Sequence, residues 1–208
     1  YLAERARLIS MDRAAVPVAG TPATGGTVYL TAADASGTMV SFIQSNYHGF
    51  GSGVVVPGTG ISLHNRGLNF VLTPGHANQV APRKKPMHTI IPAFVTRGGE
   101  PVMSFGVMGG SMQAQGHLQM VTRLAAFGQN PQAMSDAPRF RVEKGPVVNV
   151  EAHLPDDVVQ TLRQRGHNVA VAPADSLEFG SAQLICRLPQ GGYLAASDSR
   201  RDGQAVGF

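Results

Sequence analysis

The sequence predicts a layered α+β fold dominated by β-sheet. Three observations point that way. Strand-like runs follow residue 26 and return near the end, helical periodicity is confined to the middle, and 25 Gly with 14 Pro supply many tight turns. A doubly wound parallel sheet would instead alternate strand and helix throughout. The 208 residues are 43% hydrophobic and only 14% charged, which favours a buried core over disorder.

The elements follow in chain order. Residues 1–9 read as the charged, amphipathic end of a helix, as though the chain began in the middle of a longer protein. From Met11 to Gly26 the composition shifts to Ala, Pro, Gly and Thr, the signature of an accessible linker. Thr27 to Ala33 and Thr38 to Gln44 read as two strands around the turn Asp34-Ala35-Ser36-Gly37, with Val40 and Phe42 sharing a face. Short strands are expected at Gly53 to Val56 and Gly60 to Leu63. Longer ones are expected at Thr89 to Thr96 and Val102 to Val107, around Arg97-Gly98-Gly99-Glu100.

Leu118, Val121, Leu124 and Ala125 repeat at helical spacing within Gln115 to Phe127. Asn130-Pro131 supplies an N-cap and a first helical residue for a short second helix. Strand character returns at Phe140 and at Val147 to Val150. Pro155 to Arg165 reads as a helix with Asp156 and Asp157 in its first turn, Arg163 and Arg165 in its last, and Gly166 closing it. Strands at Ala182 to Arg187 and Tyr193 to Ala196 precede the polar tail Ser197 to Phe208.

Composition narrows the function. Lys and Arg outnumber Asp and Glu by 17 to 13, but the cations are scattered and no aromatic platform accompanies them, so no nucleic-acid partner is expected. No apolar run reaches membrane-spanning length. The lone Cys186 reads as a small core residue. The seven histidines show neither HExxH nor Cys/His spacing, so no metal and no cofactor is expected. His117 and His167 read as capping or surface residues.

A threonine opening a strand after a Gly-rich linker has chemical potential. If Gly26-Thr27 were cut, the Thr27 hydroxyl would be a nucleophile and its own α-amine the base. The run Gly26-Thr27-Val28-Tyr29-Leu30-Thr31-Ala32-Ala33-Asp34-Ala35-Ser36-Gly37 resembles the start of the small subunit of γ-glutamyltransferases. The similarity continues through Ser41 to Gly67, Ser104 to His117, Asn130 to Phe140 and Ser197 to Phe208, closest to the branch that includes cephalosporin acylases.

The resemblance implies an Ntn-hydrolase αββα sandwich shared between two segments of one precursor. Residues 1–26 would be the end of the large subunit and the processing linker, and residues 27–208 the small catalytic subunit. Thr27 falls on the nucleophile, Gly26-Thr27 on the cleavage site, and Ser45 on a second hydroxyl beside the nucleophile. Gly109 and Gly110 fall on the pair whose N–H groups hold the oxyanion. On the substrate side, Asn69 stands where the family has an aspartate gripping the substrate ammonium, Arg66 where it commonly has glutamine, and Tyr47 where it has asparagine. His88 and Thr89 replace a serine pair that contacts the substrate carboxylate. Expected partners are the large-subunit segment and a small-molecule amide, with a homo-oligomer of the heterodimer left open.

Three readings of function remain open at this level. The first is an autoprocessing amidase that cleaves or transfers a γ-glutamyl or related acyl group, with ammonium recognition supplied by the other segment if the donor is a true γ-glutamyl amide. The second is a glutaryl- or cephalosporin-acylase-like hydrolase that does without α-amino recognition, for which Asn69 and Arg66 speak. The third is not enzymatic: an unprocessed precursor fragment or assembly subunit, which would expose large apolar patches when alone.

Overall fold

A computed structural model of the chain describes residues 6–8 and 27–208. Most of the expected amino-terminal helix end, the linker and Gly26 lie outside the described residues. The elements in order are β1 (Thr27–Ala33), β2 (Met39–Ser45), a short 3-10 turn (Arg66–Asn69), β3 (Ala93–Arg97), β4 (Glu100–Met108), α1 (Met112–Ala125), α2 (Pro131–Asp136), β5 (Phe140–Val142), β6 (Val147–Val150), α3 (Asp156–Gln164), β7 (Asn168–Val171), β8 (Ser181–Arg187) and β9 (Tyr193–Ser197).

Three sheets result: the hairpin β1-β2, a four-stranded antiparallel sheet ordered β3-β4-β8-β9, and a small sheet β5-β6-β7 whose last pair is parallel. The hairpin lies on one face of the four-stranded sheet, and α1 and α2 cover the other. This β-β-α layering accords with the α+β prediction. Among the described residues the one βαβ unit, β6-α3-β7, is a local appendage with its own apolar cluster of Val148, Val150, Val159 and Val169.

The main core lies between the four-stranded sheet and the helices. Met103, Phe105 and Val107 of β4, Leu184 of β8, Met120 of α1 and Met134 of α2 are almost fully buried there. Each such side chain contributes about 1.5–3 kcal/mol of burial. Cys186 joins the same core, and burial pushes its thiol up to about 11. His117 is neither a cap nor a surface residue. Its Nε2 accepts the Val107 N–H at 3.0 Å, beyond the last β3-β4 pair, and its ring packs on Phe105. Burial lowers its pKa to about 4.

The opposite face of the four-stranded sheet meets the hairpin through polar and small groups. Tyr29 bonds to Ser41, Thr31 to Ser104, and Ser41 donates to the Ala93 carbonyl. Gly106 is required at this contact, because a Cβ there would stand 2.7 Å from the Tyr29 ring. Strand alternation therefore turns Val28, Leu30, Val40 and Phe42 away from the four-stranded sheet, each 44–57% exposed.

Several boundaries differ from expectation for physical reasons. The run at Thr89 pairs only from Ala93, after Pro92, which has no N–H to give a ladder. The expected strands around residues 53–63 reduce to one bridge, Val55 to Ser62. The first long helix begins at Met112, three residues early, because the bend at Gly109-Gly110 already feeds its first turn. The Asn130 cap forms as expected, its Oδ1 accepting from Ala133 N at 2.8 Å.

Candidate functional site

Register places the first two groups. Thr27 opens β1, Ser45 closes β2, and the ladder sets them directly opposite each other on the face turned toward the four-stranded sheet. The Thr27 hydroxyl donates to Ser45 Oγ at 3.0 Å. Ser45 Oγ also accepts the Tyr47 N–H at 2.9 Å, so one oxygen orients both neighbours.

Tyr47 has φ +76°, a left-handed conformation rare for a residue with a Cβ. Asn65 holds the backbone around it, giving its amide to the carbonyls of His48 and Gly51 and accepting the His48 N–H. That brace brings Arg66 beside Tyr47, with the guanidinium 5.0 Å from the ring centroid. Arg66 is buried, and burial holds its pKa below the ordinary value. Among the described residues no carboxylate lies within salt-bridge distance of it. The Tyr47 hydroxyl donates to Asn69 Oδ1 at 2.8 Å.

Gly109 and Gly110 form the bend between β4 and α1, with φ of +141° and +60°. Their carbonyls accept from Met112 N and Gln113 N in the first turn of the helix, and Thr89 Oγ1 adds a bond of 2.9 Å to the Gly110 carbonyl. Among the described residues nothing accepts from either glycine N–H. A Cβ at Gly109 would stand 2.9 Å from Gly180 Cα, so the bend packs backbone against backbone.

A cavity of about 440 Å³ joins these parts, and Thr27, Tyr47, Arg66, Thr89, Gly109 and Gly110 all line it. Ser45 and Asn69 support it through the bonds to Thr27 and Tyr47. His88 is exposed and is not part of its lining. Residue-level reading of the sequence missed other residues of the wall, among them Gln113, Arg141, Glu178, Gly180 and Arg201. It also missed the buried pair behind it, Arg139 and Asp198, 2.6 Å apart. Both lie in segments whose resemblance to the family was visible, Asn130 to Phe140 and Ser197 to Phe208.

Burial alone would raise the Asp198 carboxyl, but Arg139, the N–H groups of Ala182 and Arg200, and the Arg200 guanidinium hold it below its ordinary value. Among the described residues no three His, Cys, Asp or Glu side chains gather into a metal-binding group.

Comparison with known proteins bears on the family of the chain. The gamma-glutamyltranspeptidase family model matches residues 1–208. The chain is 38% identical over 200 residues to the glutathione hydrolase-like YwrD proenzyme of Bacillus subtilis, covering 93% of this chain and 38% of that protein. It is also 38% identical over 202 residues to the oxamate amidohydrolase proenzyme of Klebsiella pneumoniae, covering 95% and 38%. The crystal structure of a cephalosporin acylase from Bacillus halodurans superposes with a TM-score of 0.80 at 50% identity, over 97% of this chain and 37% of that one. The chain thus spans less than two fifths of these relatives and shares their Ntn-hydrolase fold as its small-subunit half. A family model matched from end to end of the sequence, with two relatives 38% identical over more than nine tenths of it, gives one assignment: the chain belongs to the gamma-glutamyltranspeptidase family.

Proposed function

We propose that this chain is the catalytic part of an autoprocessing amidase in which Thr27, once released from Gly26, attacks the carbonyl of an amide whose acyl group carries a carboxylate. The observation that carries the reading is the Thr27 hydroxyl bonded to Ser45 at 3.0 Å on a cavity shared with Gly109 and Gly110. In maturation the Thr27 hydroxyl adds to the Gly26 carbonyl. The peptide C–N bond breaks and frees the Thr27 amine as the acyl group passes from nitrogen to oxygen, and water then hydrolyses the ester to give the Gly26 carboxylate and restore the Thr27 hydroxyl.

In turnover the same oxygen adds to the substrate amide carbon, and the Thr27 amine takes the hydroxyl proton. The N–H groups of Gly109 and Gly110 receive the developing oxyanion. The tetrahedral adduct collapses with the proton delivered to the departing amine, leaving an ester on Thr27 that water or an acceptor amine resolves. Ser45, hydrogen-bonded to the Thr27 hydroxyl, holds its oxygen in place on the cavity wall until the amine takes the proton.

Arg66, buried without a carboxylate partner among the described residues, is the group for the acyl carboxylate. Asn69 is a poor ammonium ligand, because it is uncharged and its carbonyl already accepts from Tyr47. This favours an acyl chain with a carboxylate and no amine, such as a glutaryl chain. The name of the Klebsiella relative agrees, since oxamate carries a carboxylate and no amine. The glutathione hydrolase-like relative supports the alternative γ-glutamyl donor, with ammonium recognition from the rest of the precursor.

The hairpin face of Val28, Leu30, Val40 and Phe42 supports assembly with the upstream large-subunit segment, which would cover it. The boundary between that segment and the small subunit would then fall at residue 26. Turnover of glutaryl-p-nitroanilide and γ-glutamyl-p-nitroanilide by the complete mature enzyme tests the substrate reading. A higher kcat/KM for the glutaryl amide is expected, and equal or lower turnover of it overturns the carboxylate-only preference.

A further inference from the structure

We infer that Arg139 is a positioning residue for the diglycine bend, acting through the backbone of Phe179 and Gly180. The inference rests on the proposed role of Gly109 and Gly110 and adds a part to it. Arg139 is fully buried. Its guanidinium donates to the carbonyls of Phe179 at 3.1 Å and Gly180 at 2.9 Å through one nitrogen, and to the Ser135 carbonyl at 2.9 Å and Asp198 at 2.6 Å through the other.

Gly180 is the neighbour against which Gly109 packs, and it also lines the cavity. It has φ +73°, and a Cβ there would strike the Met108 carbonyl, so only glycine fits between Arg139 and the bend. The chain of contact is therefore short: guanidinium, Gly180 carbonyl, Gly180 Cα, Gly109. Asp198 fixes the far side, accepting from both Arg139 and Ala182 N at 2.7 Å. Arg200 ties Asp198 to Glu151, and Glu151 accepts the Arg139 N–H at 2.7 Å.

A buried ion pair is a weak source of stability, because taking two charges out of water offsets most of their attraction. Apolar residues of similar volume could fill the same space. What they could not do is grip two consecutive carbonyls in a fixed plane, and that is where a guanidinium fork differs from any apolar side chain and from the single ammonium of lysine. An oxyanion donor misplaced by a fraction of an ångström loses most of its value while substrate still binds.

The test uses the complete precursor, comparing wild type with Arg139→Lys, Asp198→Asn, Thr27→Ala and Val159→Ala, the last a core truncation in the separate cluster around α3. For Arg139→Lys we expect kcat to fall about ten-fold or more with KM within about two-fold. Asp198→Asn, which keeps the shape, should lower kcat about three-fold or more. Val159→Ala, at a comparable loss in Tm, should keep its kcat. Arg139→Lys with wild-type kcat, or with a loss no greater than that of Val159→Ala at matched Tm, overturns the inference. If Arg139→Lys does not fold, Asp198→Asn decides, and an unchanged kcat overturns it. Inactive Thr27→Ala beside a fully active Arg139→Lys sinks this inference alone, whereas active Thr27→Ala sinks the reading of the site and this inference with it.

Discussion

Ser45→Ala is the perturbation whose effect can be worked most directly from the geometry. It removes one oxygen that accepts two hydrogen bonds, from the Thr27 hydroxyl at 3.0 Å and from the Tyr47 N–H at 2.9 Å. Both partners are partly buried, and neither has another acceptor among the described residues. Losing the first bond lets the nucleophile rotate out of its aimed rotamer, at a cost of about 1–2 kcal/mol in the reacting complex. At about 1.4 kcal/mol per ten-fold in rate, kcat should fall roughly 5- to 30-fold. Losing the second leaves an unpaired N–H, about 1 kcal/mol, at a residue already strained by φ +76°. Tyr47 carries Asn69 and stacks under Arg66, so this part of the loss should raise KM by a few-fold. Ser45→Thr keeps the hydroxyl and should recover most of kcat. The assay is steady-state release of p-nitroaniline by fully matured enzyme, with maturation timed separately by gel. A Ser45→Ala enzyme within two-fold of wild type in kcat would refute the orienting role.

Two further outcomes follow from groups away from the nucleophile. His117 is neutral in the folded chain, its pKa lowered to about 4 by burial, against an unfolded value near 6.5. Its contribution is therefore complete above pH 6.5 and is lost as pH falls through about 4, where the folded chain must take up a buried proton. The shift, discounted for the partial exposure of the ring, amounts to about 2 kcal/mol. His117→Gln should flatten the fall in Tm between pH 6.5 and 4 relative to wild type, and parallel Tm-pH curves would contradict this. On the opposite surface, Phe42→Glu puts a charge in the middle of the exposed apolar hairpin face. In the full precursor it should cut the yield of mature enzyme several-fold, and unchanged maturation would show that the upstream segment does not sit there.

Much of the fold was legible because local chemistry and tertiary structure agree. The Asn130-Pro131 cap, the charge pattern of α3 with Gly166 behind it, and the two-residue Gly98-Gly99 turn each specify one conformation locally. The strand β7 was not legible, since Asn168–Val171 is four residues long and gains its identity only by pairing in parallel with β6. The direction of the hairpin's apolar face was not legible either. Alternation put Val40 and Phe42 together, but which side the rest of the chain covers is decided by polar contacts such as Thr31 to Ser104, from residues 73 positions apart.

The candidate site divides in the same way. Thr27 and Ser45 could be read because each occupies a strand end within a run that resembles the family closely, and the ladder then sets them opposite each other. Arg139 and Asp198 could not, because a buried guanidinium gives no sequence signal until the carbonyls it holds, those of Phe179 and Gly180, fold against it. Thr89 reaches the Gly110 carbonyl whereas His88 stays in solvent, a distinction that rests on backbone direction rather than on residue type.

The central claim is that Thr27 becomes a free amino terminus and then does the chemistry. Intact mass and amino-terminal sequencing of the purified precursor test it directly, with Thr27→Ala run alongside. The account predicts a species beginning Thr-Val-Tyr-Leu-Thr-Ala in the wild type, its absence in Thr27→Ala, and amide turnover only where that species is present. Turnover by uncut protein, or cleavage after Gly26 that persists in Thr27→Ala, would contradict it.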